Sequence, residues 1–150
     1  MNTTGMSRFA LILGLFVGIS AAHAQRMPRM ELQASFHRIE VEVAATQADR
    51  MVGLMRRQRL GINQGMLFVF PEAARHCMWM KNTLIPLSVA FLDDTGKIIS
   101  ISDMQPRTEN SHCAATPARY ALEMNLGWFS ARGITPGMKI GGVLQAPSPR

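Results

Sequence analysis

From Phe36 to Val43 apolar and polar residues alternate, with Ile39, Val41 and Val43 on one side and Arg38, Glu40 and Glu42 on the other. A period of two predicts a strand with one buried face. At Thr46 the period changes. Ala48, Met51, Val52 and Met55 recur at helical spacing, which predicts the one main helix over 46–61. Thr46 is its cap, with Asp49 three residues on, and Gly61 is its stop. Arg56, Arg57 and Arg59 fall in the last turns, where they oppose the helix dipole. The apolar run Gly65 to Phe70 reads as a buried strand ended by Pro71, and Arg75 to Lys81 as another. Leu87 to Leu92 and Lys97 to Met104 flank the turn Asp93-Asp94-Thr95-Gly96 and form a predicted hairpin. A polar loop of 13 residues, Gln105 to Pro117, follows. Ala118 to Met124 alternates again, with Tyr120, Leu122 and Met124 on one face. Asn125 to Gly133 suits a short helical turn, and Lys139 to Gln145 a last strand. These elements predict an α+β domain over 32–145. It is a compact, mostly antiparallel sheet or partly closed barrel of about seven strands with one main helix. Residues 25–31 and 146–150 read as flexible segments.

The first 24 residues follow none of these periods. Phe9 to Ser20 carries no charge over 12 residues. As a helix it would extend about 18 Å, short of the roughly 30 Å hydrocarbon core. With Arg8 before it and Ala22-His23-Ala24 after it, this is the pattern of a signal peptide over 1–24, cleaved after Ala24. The expected address is the periplasm, with no stable membrane span after cleavage. Export excludes nucleic acid as a partner, so Arg56-Arg57-Gln58-Arg59 is not read as a nucleic-acid patch. The formal charge of +6 becomes +5 when the leader goes, since only Arg8 is lost. That is a mild bias towards anionic surfaces. At 150 residues the chain is long enough for one domain with a real core.

Cys77 and Cys113 are the only cysteines. In an oxidising compartment the simplest reading is one disulfide tying the polar loop to the central strand. No Cys-x-x-Cys redox motif is present. An alternative is a soft-metal site from His76, Cys77, His112 and Cys113, since thiolate and imidazole suit copper. Strand alternation opposes it, because Cys77 shares a face with Arg75, Trp79 and Lys81 while His76, Met78 and Met80 face the other way.

Several ordered motifs resemble one family. They are Arg50-Met51-Val52-Gly53-Leu54-Met55-Arg56-Arg57, Gly65-Met66-Leu67-Phe68-Val69-Phe70, Trp79-Met80-Lys81-Asn82-Thr83 with Ile85-Pro86-Leu87, and Ala118-Arg119-Tyr120-Ala121-Leu122-Glu123. Gly127-Trp128 and Ile134-Thr135-Pro136-Gly137 complete the set. Together they resemble the domain of unknown function 192, over roughly Leu32 to Val143. The resemblance implies a compact domain of mostly antiparallel strands with one main helix, and no assigned reaction. Two positions depart from the family pattern: Ser88 stands where Asp often follows Ile-Pro-Leu, and Met138 follows Gly137 where Asp is common.

The candidate ligand-binding residues are Trp79, Lys81, Asn82, Thr83, Glu123 and Asn125. The polar trio 81–83 ends an apolar strand, and so sits at a rim. Lys81 and Glu123 are expected to approach each other, with Trp79 as an aromatic wall. The bland alternative has Asn82 and Thr83 bonding the turn backbone. No Gly-x-Ser-x-Gly elbow, His-Glu-x-x-His motif or phosphate-cradling glycine loop occurs. No catalytic residue and no cofactor is therefore assigned. The expected function is a non-catalytic binding or accessory protein of the cell envelope, whose partner is an unknown envelope component or protein. Copper handling is the alternative. An uncharacterised hydrolase, which would need an acid or base of shifted pKa in a deep pocket, is a further one.

Overall fold

The computed structural model describes Met1 and residues 26–150. Apart from Met1, the expected leader and its cleavage site after Ala24 lie outside the described residues. The chain forms β1 (Arg29–Ala34), β2 (His37–Ala44), α1 (Gln47–Val52), β3 (Gln64–Ala74), β4 (Cys77–Met78), β5 (Leu87–Leu92), β6 (Ile98–Met104), β7 (His112–Cys113), β8 (Ala118–Asn125) and β9 (Ile140–Gly141). Short 3-10 turns stand at Ser130–Arg132 and Val143–Gln145.

Seven strands make one sheet in the order β6-β5-β8-β3-β2-β1-β9, and β4 pairs with β7 in a second, two-stranded sheet. Every pairing is antiparallel except β2 with β3. A parallel neighbour cannot follow through a tight hairpin, so residues 45–63 must cross back before β3 begins. The sheet curls into a half-barrel. Its two edges meet at one corner, where Lys97 bridges Lys139 and Ile98 N–H donates to the Met138 carbonyl at 2.8 Å.

Strand alternation divides the apolar residues between two cores. Ile39, Val41 and Val43 join Leu67, Leu122 and Met124 in the concave interior. Met66, Phe68, Leu87, Val89, Phe91 and Ala121 face the other way and pack with Leu54, Met80 and Met104. Among the described residues no sheet faces this second core. It is covered by loops and by the arch that the β4–β7 pair closes.

The capping pair is as expected: Thr46 Oγ1 accepts from Asp49 N–H at 3.0 Å. The helix itself is much shorter than predicted. Met51 and Val52 are exposed, so the apolar stripe is not packed. Gly53, at φ +49°, then turns the chain to drive Leu54 into the second core. The arginines at 56, 57 and 59 therefore do not lie in a last helical turn. Arg57 instead forms a fork on Glu42, with bonds of 3.2 and 2.6 Å.

Other boundaries differ: β3 does not end at Pro71 but runs through it to Ala74, past an irregularity in its pairing with β8 between Val69 and Ala74. Only Cys77–Met78 of the predicted 75–81 strand is paired, because its partner is the two-residue β7. The last strand ends after Gly141, where Gly142 at φ +94° redirects the chain. Residues 29–31, expected in the loose lead-in, pair with β2. The expected loose tail is fastened at its end, since Arg150 N–H donates to the Ala45 carbonyl at 2.8 Å and Gln47 N–H to the Arg150 carbonyl at 3.1 Å. The hairpin of β5 and β6 is in place, with Asp93 Oδ1 accepting from the N–H groups of Thr95 and Lys97 at 2.8 and 3.0 Å.

Candidate functional site

Three loops, 53–63, 79–86 and 105–111, lie over the second core and are zipped together by their backbones. Arg56 N–H donates to the Asn82 carbonyl at 2.9 Å, Arg107 N–H to the Thr83 carbonyl at 3.0 Å, and Met80 N–H to the Thr108 carbonyl at 3.0 Å. Met80, fully buried, anchors the middle loop in the core. The disulfide between Cys77 and Cys113 closes the same layer from the side, across paired residues 36 apart in sequence.

Among the described residues, four that are not glycine have a positive φ, and three of them meet here: Arg56 (60°), Asn82 (56°) and Arg107 (60°). Asn adopts this region with ease, but an arginine does so at a cost. Their concentration in one place shows that the loop layer over-determines its backbone. Conformations of that kind collect at binding sites.

The three loops enclose an open cleft of about 230 Å³ lined by Arg56, Lys81, Asn82, Leu84, Arg107 and Glu109. Lys81 Nζ lies 3.7 Å from Glu109 Oε1 and 5.2 Å from the centre of the Trp79 ring. Among the described residues no ion pair joins Arg56 or Arg107 to a carboxylate. Three cations against one carboxylate leave the cleft electropositive. Most other arginines serve the fold. Arg50 donates to the Ala45 carbonyl at 2.6 Å and the Val69 carbonyl at 3.0 Å. Arg119 reaches Asp94 and the Phe70 and Pro71 carbonyls.

The residues singled out from sequence divide into two groups. Lys81 and Asn82 line the cleft, and Trp79, 48% exposed, stands beside Lys81. Thr83 is buried beneath them, its N–H on the Met80 carbonyl at 3.0 Å. Asn125 is a clamp: its Nδ2 donates to the carbonyls of Leu60 and Gly61 at 3.3 and 2.9 Å, fixing loop 53–63 to β8. Glu123 sits between Met66 and Val89, its cross-strand partners, with 3% of its surface exposed. It shares their face and therefore points into the second core, below the loop layer. Burial pushes its carboxyl up to about 8. The expected approach of Lys81 and Glu123 is not made. Lys81 extends outward to Glu109, and among the described residues no hydrogen bond or ion pair engages the Glu123 side chain. Sequence reasoning did not place Arg107, Glu109 or Leu84 at this site, and placed Arg56 on a helix. The one available signal was the cationic run Arg56-Arg57-Gln58-Arg59, of which only Arg57 is paired with a carboxylate among the described residues.

The alternative copper set is not assembled. Both sulfurs are spent in the disulfide. The His76 ring stacks on Phe70 at 3.7 Å, and His112 Nε2 meets Asn110 Nδ2 at 3.0 Å. Among the described residues no group of three or more His, Cys, Asp or Glu side chains converges on a metal position. No described helix is long and apolar enough to cross a membrane.

Residues 29–142 match the family model for domain of unknown function 192, described as an uncharacterised ACR. Two solved structures are similar over most of this length. One, from Sinorhizobium meliloti 1021, is described as a candidate transcription regulator. It is 34% identical, with a TM-score of 0.70 over 75% of this chain and 90% of that one. The other, from Novosphingobium aromaticivorans DSM 12444, is described as a protein of unknown function. It is 31% identical, with a TM-score of 0.71 over 76% of this chain and 85% of that one. No curated protein matches the sequence.

Proposed function

Since the chain belongs to the family of domain of unknown function 192, for which no reaction is assigned, we propose from its own geometry that it is an exported, non-catalytic binding protein of the cell envelope. The ligand enters the cleft formed by loops 53–63, 79–86 and 105–111. The observation that carries this reading is the meeting of Arg56, Asn82 and Arg107, all with positive φ, at one electropositive cleft. A merely structural loop layer has no need to hold two unpaired guanidiniums on strained backbone. Trp79 and Leu84 add exposed apolar surface beside the charges.

Glu123 supports a second, catalytic reading. A carboxyl held neutral at pH 7 is suited to donate a proton. It has no base, nucleophile or second acid bonded to it among the described residues. It also faces the core rather than the cleft, so the binding reading is preferred.

The test is a titration of isotope-labelled protein with a solvent extract of bacterial envelopes, followed by amide shifts. The reading expects shifts clustered at residues 56, 79–83 and 107. Shifts confined to another surface, or none, would remove it.

A further inference from the structure

We propose that the cleft is a receptor for the dianionic phosphoryl group of a phosphate monoester. This deepens the binding reading above and rests on it. Lys81 shares its charge with Glu109, but Arg56 and Arg107 are free of carboxylates among the described residues. Two guanidinium forks offer parallel N–H pairs that match phosphoryl oxygens, and they act as planar donors rather than point charges. The Asn82 side chain adds an uncharged donor on the same wall.

Charge decides between oxyanions. Three cations and one carboxylate leave a surplus of two, which a dianion cancels and a carboxylate or phosphodiester only halves. Size decides how much of the ligand enters. A cleft of about 230 Å³ lies below the roughly 300–1,000 Å³ that encloses a whole drug-sized ligand. It therefore takes a head group and leaves the substituent outside. Leu84, on the wall, and Trp79, beside Lys81, supply an apolar surface on which that substituent rests.

The experiment uses the mature chain with phenyl phosphate, inorganic phosphate and benzoate as probes, read by amide shifts and calorimetry. Saturable binding of phenyl phosphate is expected, tighter than inorganic phosphate, with benzoate weaker by about tenfold or more. The shifts should centre on residues 56, 81–83 and 107. Affinity should fall as pH drops through about 6, where the dianion takes up a proton and becomes a monoanion. Arg56→Gly and Arg107→Gly should each weaken binding by about tenfold. Both positions have φ +60°, where glycine is at ease, so loss of folding is not expected, and either variant serves if the other fails. Arg38→Ala, an exposed arginine on β2, is the charge-matched control and should bind normally.

Vesicles separate the two sources of such a group. Flotation with phosphatidic acid in phosphatidylcholine, competed by phenyl phosphate, assigns a lipid head group. Phenyl phosphate binding without flotation assigns a soluble monoester. The proposal is overturned if benzoate binds as well as phenyl phosphate, if Arg56→Gly and Arg107→Gly bind normally, or if flotation occurs without any phenyl phosphate binding. If envelope extract shifts the cleft amides while phenyl phosphate does not, the ligand class is wrong and the binding reading stands.

Discussion

A carboxyl placed between Met66 and Val89, with no countercharge among the described residues, favours its neutral form, because burial strips hydration from the ionised one. For Glu123 this sets a sign. Its folded pKa, about 8, lies above the ordinary 4.5, so between those values the unfolded chain releases a proton that the folded chain keeps. The stability that neutral Glu123 permits is fully present below about pH 4.5 and is lost as pH rises through about 8. The slope is about 1.4 kcal/mol per pH unit, or on the order of 5 kcal/mol across the window. Glu123→Gln, which cannot ionise, should flatten this dependence and unfold at a higher temperature than the parent at pH 8. Parallel thermal melts at pH 5 and pH 8 check this, and an equal loss in both proteins would reject it. Backbone strain at Arg107 gives a second residue-scale prediction. Arg107→Gly relieves a left-handed φ worth about 1–2 kcal/mol and raises unfolded-state entropy by a comparable amount, so its midpoint in urea should match the parent. Arg107→Val, β-branched at φ +60°, should lose about 1–2 kcal/mol. Ser88 is explained at the same scale. Its hydroxyl donates to Asp103 on the neighbouring strand at 2.5 Å and accepts from Gly127 N–H at 2.9 Å. A carboxylate at this corner is thus supplied by the strand opposite.

Between elements, the tightest fit is where β3 crosses β8. A Cβ on Gly65 would strike Met124 Sδ and lie 2.5 Å from the Glu123 carbonyl. The carbonyl is backbone and cannot swing aside. Gly65→Ala should therefore cost about 1–3 kcal/mol as overpacking, measured by urea unfolding. The same variant should speed amide exchange in β8 next to Glu123. The disulfide acts on another pair of elements. It joins β4 to β7 across 36 residues and holds the loop that carries Arg107. The double variant Cys77→Ser, Cys113→Ser should lose up to about 4 kcal/mol in the chain-entropy model. Exchange should rise first in residues 105–111, and an unchanged midpoint would show the bridge to be dispensable. This scale also explains what was legible beforehand. Strands β2, β5, β6 and β8 bury one side or both within a continuous sheet, so their apolar pattern and turn residues carry the signal. The helix failed because its stripe, Met51 and Val52, was periodic without being buried. Lys81 and Asn82 were legible as polar residues after an apolar run. Arg107 was not, since its place in the cleft depends on its N–H donating to the carbonyl of Thr83, 24 residues away in sequence.

For the whole molecule, the two cores and the one bridge tie stability to address. The concave core is enclosed by the half-barrel, but among the described residues the second core is roofed by loops and the β4–β7 pair, and the roof is closed on one side by Cys77–Cys113. A chain kept in a reducing compartment would lack that closure. Residues 1–24, read as a leader, would deliver it to an oxidising one. Cleavage after Ala24 would leave a chain of charge +5, and export would bring its electropositive cleft to an anionic envelope. Expression of the full chain in a Gram-negative host should therefore yield protein in the periplasmic fraction, with the mass of Gln25 to Arg150 less two hydrogens. Expression of residues 25–150 without the leader should yield the reduced form in the cytosol, with a lower unfolding midpoint and faster exchange in the loops over the second core. Oxidation of that protein in vitro should restore both properties. Full-length protein retained in the cytosol with both thiols alkylatable would separate the fold from export, and would leave the cleft to ligands of the cell interior.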